Sequence, residues 1–424
     1  MKINQLHSLF LKSTGICTDT RKISHNCLFF ALKGDHFNGN EFAKEAIKKG
    51  AYKVIIDEKE YKSKHTVLVD NCLKTLQELA TYHRKFLKIP IIALTGSNGK
   101  TTTKELIREV LSQKFKVTAT LGNLNNHIGV PLTLLSMNLE TEIGVVEMGA
   151  NHHNEIAQLC EIAQPDYGYI TNFGKAHLQG FGSLKGVIKA KTELYQFLKE
   201  NNKTVFVNAT DAIQLDKTKS MKRFTFGFNN QDCNIGLKNT SNPVKIKYEN
   251  IEIKSNLIGL YNFNNIAAAI CIGNYFKIPK KAIKHAIENY IPTNNRSQII
   301  QQNSNTIILD AYNANPTSML AALENFIQID SLKKVLFLGD MFELGINSKK
   351  EHQNIVNFIE KHCFKKVFLI GENFYQTKTV SNHIKKYKTF ENLEQYLKNH
   401  PTKNSSILIK GSRGMALERI LKII

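Results

Sequence analysis

Between Ile91 and Ile107 the chain reads IIALTGSNGKTTTKELI. A strand-like apolar run enters a turn containing Gly96 and Gly99, and Leu106, Ile107, Val110 and Leu111 then recur on one face of a helix. Such a turn suits a polyphosphate. Backbone N–H groups of Gly96, Ser97, Asn98 and Gly99 can wrap phosphate oxygens, and the helix N-terminus adds its partial positive charge. Lys100 can neutralise phosphate, and the Thr101 hydroxyl, with Thr102 beside it, stands where Mg2+ can be ligated. The match to G-x-x-x-x-G-K-[ST] is incomplete, because Leu94 occupies the first glycine position, so an ordinary glycine turn is the competing reading of this segment by itself.

Further along, VVEMGANHH ends a strand-like run in Glu147, where a carboxylate can reach a cation held by the first loop. His177 follows another strand in a Gly-rich loop and Lys191 sits on the next helix. Each of these three, and His152 and His153, would alone pass for a surface or packed residue. The amides of Asn125 and Asn126 in TLGNLNNHIGVPLTLL can serve a phosphate or a substrate, or only a turn. In the last third, IILDAYNANPTSM places Asp310 at a strand end before a turn with Tyr312, Asn313 and Asn315, and LFLGDMFELG places Asp340 and Glu343 similarly. Strand-end acids and amides of this kind suggest a cleft facing the nucleotide.

These positions need α/β scaffolds. Up to Lys88, short apolar runs alternate with the helix-like EFAKEAIKKGA, as in a small α/β domain. From Ile89, strands and helices alternate as in a doubly wound parallel sheet, followed by an Asn-, Lys- and Thr-rich stretch at about 215–256 and the helix candidate NFNNIAAAICIGNYF. After Pro292 the alternation restarts. Domains are therefore expected at 1–88, 89–292 and 293–424, within the range that 424 residues allow.

The chain carries 57 Lys plus Arg against 36 Asp plus Glu, a formal net charge of +21, which raises a nucleic-acid hypothesis. Only seven of the 57 are arginine (Arg21, Arg84, Arg108, Arg223, Arg296, Arg413, Arg419) and the 50 lysines are dispersed, which fits solvated faces better than a polynucleotide track. Seven scattered cysteines without a C-x-x-C pair argue against a disulfide framework and a zinc site. No signal-peptide-like start and no apolar run of spanning length is present, so cytoplasmic residence without a membrane span is expected.

Taken in order, these motifs resemble the Mur ligases, the ATP-dependent amide-forming enzymes of peptidoglycan synthesis, over nearly the whole chain. TDTRKISHNCLFFALKGDHFNGNEFAKEAIKKGA resembles their UDP-sugar domain, TGSNGKTTTKE their ATP loop, GNLNNHIGVPLTLL their Asn-rich loop, and EMGANHHNEIAQL with TNFGKAHLQGFGS their metal-binding strand ends. DAYNANPTSM and LGDMFELG are the most selective segments, and point to the member that adds D-alanyl-D-alanine to a UDP-N-acetylmuramoyl-tripeptide. The resemblance implies a three-domain fold with a central P-loop sheet and a Rossmann-like C-terminal domain. It implies a first Mg2+ at Thr101 and Glu147 and a second metal site at His177 and Lys191, the lysine standing in a segment similar to the one that bears a carbamylated lysine in sister enzymes. Asn262 and Asn265 resemble adenine-contacting residues, with Tyr261 where the family usually has His. Arg296 resembles the arginine that reaches the γ-phosphate, and Asp310 the ribose or hinge aspartate. Asp19, Thr20 and Arg21 match the motif that meets the UDP-linked substrate. Lys100, His177, Lys191 and Arg296 are thus the expected catalytic group, and a monomer that does not act on nucleic acid is expected. The alternatives are another amide ligase of this type, tripeptide-forming or folylpolyglutamate-forming, a P-loop NTPase acting on nucleic acid, or a non-catalytic nucleotide-binding relative.

Overall fold

Strands rich in Val, Ile and Leu with no polar face require cover on both sides. Ile91–Thr95 and Ile143–Glu147 have it: every residue of both is buried in the computed structural model, which describes residues 1–239 and 242–424. They lie in a nine-stranded sheet ordered Ile251–Lys254, Lys245–Tyr248, Cys233–Asn239, Lys222–Gly227, Thr204–Asn208, Tyr167–Ile170, Ile91–Thr95, Ile143–Glu147, Val117–Ala119. Pairing is parallel except for the last hairpin strands, Lys245–Tyr248 and Ile251–Lys254, which are antiparallel. That antiparallel extension lies in the second half of the Asn-, Lys- and Thr-rich stretch. Ile91–Thr95 pairs with Tyr167–Ile170 on one side and Ile143–Glu147 on the other. The winding direction reverses there, which opens a crevice at the carboxyl ends of these strands.

Two helices back this crevice. Lys100–Leu111 packs against Tyr261–Tyr275, a helix apolar almost all round whose stretch from Ile266 to Gly273 is buried throughout. The N-terminal domain has a four-stranded parallel sheet, ordered Ile16–Cys17, Leu28–Phe30, Lys53–Ile56, Thr66–Leu68. Its exit helix, Cys72–Leu87, begins where Asn71 accepts a hydrogen bond from the Lys74 N–H at 2.8 Å and ends at left-handed Lys88, just before Pro90. From this helix the Arg84 guanidinium donates to the Ala163 and Gln164 carbonyls and pairs with Asp166 at 2.6 Å, which fastens the first domain to the second.

The C-terminal sheet has six strands, ordered Gln298–Gln302, Asn305–Asp310, Ser406–Lys410, Lys334–Gly339, Lys366–Ile370, Ile384–Tyr387, with only the first antiparallel. One apolar cluster runs from Leu6 to Leu408 through all three domains, and two more fill the opposite faces of the central and C-terminal sheets. No helix among the described residues is long and apolar enough to cross a membrane.

Candidate active site

The turn after Ile91–Thr95 is built on two glycines with positive φ, Gly96 (+147°) and Gly99 (+79°). A Cβ on Gly96 would lie 1.9 Å from the Thr171 hydroxyl oxygen, and one on Gly99 2.5 Å from Asn265 Oδ1, so neither position admits a side chain. The loop is braced from the neighbouring strand end: Thr171 Oγ1 donates to the Asn98 carbonyl at 2.6 Å, the Asn98 N–H donates to Asn172 Oδ1 at 3.1 Å, and Ser97 Oγ donates to the Gly174 carbonyl at 3.0 Å. The Lys100 ammonium folds back to the Gly96 carbonyl at 2.8 Å. Burial pushes its pKa down, nearby Glu147 opposes this and Arg296 adds to it.

Glu147 is 1% exposed. Its carboxylate accepts from the Thr101 hydroxyl at 2.9 Å and from the Asn125 amide at 2.8 Å. Asn126, one residue on, accepts through its side-chain oxygen from the Ile128 and Gly129 N–H groups, which fixes the turn leading into the helix Gly129–Leu135. His177, left-handed at φ 50°, meets Glu343 of the C-terminal domain, which holds that carboxyl below its usual range. Lys191 is 1% exposed with one polar partner, the Ala150 carbonyl at 3.4 Å, and the Phe181 ring 5.3 Å away.

Across the crevice, Asp310 and Lys410 are register partners at the ends of adjacent parallel strands, and their side chains pair at 2.5 Å. The Arg296 guanidinium stacks on the Tyr312 ring at 3.8 Å, with its Nε buried and unpartnered among the described residues. Asn315 caps the helix Pro316–Ile327 through the Ser318 N–H and also donates to Asn98 Oδ1 at 2.7 Å, so one amide joins the phosphate loop to the C-terminal domain. Lys175 reinforces that contact through Thr317 Oγ1 (3.0 Å) and Glu351 (2.8 Å).

These groups enclose a cavity of about 690 Å3. Residues 97–102, Asn125, Asn126, Glu147 and His177 line it from the central domain, and Arg296, Asp310, Tyr312 and Asn313 from the other side. Asn262 and Asn265 line it too, but their amides are engaged internally: Asn262 donates to the Ile258 carbonyl, Asn265 donates to Asn262, and Thr103 donates to Asn265. Tyr261 bonds Ser297 Oγ at 2.7 Å, a contact across the domain boundary. Lys191 lies behind the cavity wall, and Gly96 and Asn315 support it without lining it. Asp19, Thr20 and Arg21 do not reach it: Arg21 forms a two-pronged pair with Asp19 on the N-terminal domain, holding that carboxyl at about 2.

Three models of domains match in succession: the Mur ligase family catalytic domain at residues 12–90, the Mur ligase middle domain at 94–273 and the Mur ligase glutamate ligase domain at 295–413. The UDP-N-acetylmuramoyl-tripeptide--D-alanyl-D-alanine ligase of Bacillus subtilis is 36% identical over 423 residues, covering 96% of this chain and 92% of that protein. The chain belongs to the Mur ligase family. Among solved structures, MurF from Acinetobacter baumannii superposes with a TM-score of 0.86 at 29% identity, covering 96% of this chain and 92% of that one. MurF ligase from Thermotoga maritima in complex with ADP gives 0.85 at 26% identity, covering 100% and 98%. The three-domain Mur ligase fold expected from sequence is thus the fold observed.

In this Mur ligase, Lys410 and Lys104 escaped the sequence reading. Lys104, 2% exposed, donates from the phosphate-loop helix to the Thr120 carbonyl at 2.7 Å, at the start of the Asn-rich loop. In a chain with 50 lysines neither stands out; the one available signal for Lys410 was its position at a strand end.

Proposed function

We propose that this chain joins D-alanyl-D-alanine to the terminal carboxylate of UDP-N-acetylmuramoyl-tripeptide at the expense of ATP. The observation that carries this reading is the cavity in which the phosphate loop faces the Asp310–Asn315 turn, in a chain matched nearly end to end by relatives bearing that name. The tripeptide carboxylate attacks the γ-phosphorus of ATP, the bond to ADP breaks, and an acyl phosphate forms. The dipeptide amine then attacks the acyl carbon, loses a proton, and phosphate leaves. Lys100 and Arg296 offset the charge that develops on the transferred phosphoryl group, so positioning replaces a protein nucleophile. Closure of the C-terminal domain through Asn98–Asn315 and Lys175–Glu351 keeps water from the acyl phosphate.

Thr101 and Glu147 fit Mg2+, as a hydroxyl and a buried carboxylate held 2.9 Å apart. No group of three or more His, Cys, Asp or Glu converges among the described residues, so water and phosphate oxygens would complete the shell. Mg2+ there would supply neutralisation of phosphate charge. His177 and Lys191 fit a second ion only with Lys191 as its carbamate, an anion in place of an amine. The reading assigns the UDP-sugar to residues 1–88, where Asp19, Thr20 and Arg21 would meet it, ATP to 89–292 and the dipeptide to 293–424. Asn125, Asn126, Tyr312, Asn313 and Asn315 are assigned to substrate, and Asn262, Asn265 and Asp310 to the nucleoside. The enzyme is assigned to the cytoplasm as a monomer.

The test is phosphate release on a substrate panel. Turnover is expected only with ATP, the UDP-linked tripeptide and the dipeptide together, and Lys100→Ala is expected to abolish it. Turnover with a free amino acid in place of the dipeptide would overturn the reading.

A further inference from the structure

Glu105 follows Lys104 on the phosphate-loop helix and does not line the cavity. Its carboxylate accepts three hydrogen bonds from one short segment, from the Tyr290 hydroxyl at 2.5 Å and from the Asn294 amide at 2.9 and 3.0 Å. That segment is the linker between the domains. It leaves the helix Lys280–Asn289 and enters the first strand of the C-terminal sheet, Gln298–Gln302. Arg296 lies two residues beyond Asn294.

The backbone on either side of Arg296 is unusual. Asn295 (φ 56°) and Ser297 (φ 52°) are both left-handed, a conformation that non-glycine residues hold only where their surroundings over-determine it. At Asn295 and Ser297 themselves the constraints are visible: the Ser297 N–H donates to Asp310 Oδ1 at 3.2 Å, the Tyr312 N–H donates to the Asn295 carbonyl at 3.2 Å, and Tyr261 bonds Ser297 Oγ. Upstream, Glu105 supplies the constraint, and it does so from the helix whose first residue is Lys100. Burial and the Glu105 carboxylate both push the Tyr290 phenol up, so it remains a donor to Glu105. The guanidinium is preset on the Tyr312 ring, and its buried Nε is left for a ligand.

We propose that Glu105 is a positioning residue that fixes the pivot of the linker to the phosphate-loop helix, so that Arg296 reaches the nucleotide in register with Lys100. The clamp sets where the C-terminal domain turns, and nucleotide binding itself does not need it. Loss of the clamp therefore acts on turnover and not on ATP affinity, and acts through Arg296. This rests on the reading of the chain as an ATP-dependent ligase.

The experiment uses full-length protein and phosphate release with both co-substrates. Failure of the wild type to turn over would overturn the functional reading and is distinguished at that first step. With an active wild type, Glu105→Gln is expected to lower kcat about tenfold while KM for ATP stays within about twofold, and Tyr290→Phe to lower kcat about threefold with the same split. In an Arg296→Ala background, Glu105→Gln is expected to add less than about twofold, because the clamp has nothing left to position. Unchanged kcat with a lowered melting temperature, a rise in KM for ATP that accounts for the loss, or a full multiplicative effect in the double variant would each overturn the proposal. If Glu105→Gln does not fold, Tyr290→Phe alone and with Arg296→Ala is judged by the same split and the same non-additivity.

Discussion

The Lys191 ammonium is enclosed by protein with one carbonyl for a partner, and burial pushes its pKa well below the lysine range, with Lys100 adding to the effect. The sign follows from linkage. A lysine that binds its proton more weakly when folded opposes folding below its unfolded pKa near 10.5, and the opposition grows as pH falls toward the folded value. Replacing it with an apolar chain of similar length removes that penalty. Lys191→Met is therefore expected to raise the melting temperature at pH 7, by about 1 °C for each kcal/mol recovered, because the unfolding entropy scales with the 424 residues. If Lys191 holds the second ion as proposed, phosphate release should fall by about 10- to 100-fold or more in the same variant. A destabilised variant with normal turnover would contradict both expectations, and calorimetry beside the phosphate assay decides it.

Between elements, the junction of the first two domains contains a relay of two buried histidines. His83 Nε2 lies 2.9 Å from the Met137 carbonyl and His83 Nδ1 lies 3.0 Å from His7 Nε2. A carbonyl only accepts, so His83 Nε2 donates there, and between the two rings one nitrogen must donate and the other accept, which excludes a state in which both rings are cationic. Burial lowers both pKa values. The unfolded chain then takes up protons below about pH 6.5 that the folded chain resists. Stability conferred by this junction is present at pH 7 and above and is lost as pH falls through that range, at up to about 1.4 kcal/mol per pH unit for each proton taken up. Melting temperatures measured from pH 8 to 5 at constant ionic strength should decline on the acid side. His7→Gln, which keeps a donor and cannot titrate, should flatten the decline; an unchanged slope would remove the relay as its cause.

For the whole molecule, the +21 charge acts as a field over a cleft whose proposed ligands, ATP and a UDP-sugar, are polyanions. In the proposed reading, specific anion handling falls to Lys100 and Arg296, which line the cavity, while most lysines contribute only the background. The Debye length shrinks from about 14 Å to about 6 Å between roughly 50 and 300 mM salt, so the field should weaken over that range. KM for the UDP-linked tripeptide is expected to rise several-fold with kcat nearly constant, as steady-state kinetics against NaCl would show; a flat KM would leave the excess charge without a part in substrate capture.

The phosphate loop, the strand-end carboxylate Glu147 and the doubly wound sheets were legible in the sequence, because backbone geometry and burial act locally: a glycine at a close approach, an apolar strand and an amphipathic helix each leave a mark within a few residues. The helices Ile3–Leu11 and Cys72–Leu87 were not singled out, nor was the Lys410–Asp310 pair, whose members are 100 residues apart and meet only through strand order. Tertiary structure alone decided that Asn262 and Asn265 bond to their own neighbourhood, that Asp19 and Arg21 pair away from the cavity, and that Asn98 meets Asn315 across a domain boundary. The +21 charge and the motif order are properties of the chain as written. Which lysine is buried, which amide is already satisfied and which carboxylate faces a cation depend on distances between segments remote in sequence, and those exist only once the three sheets have packed.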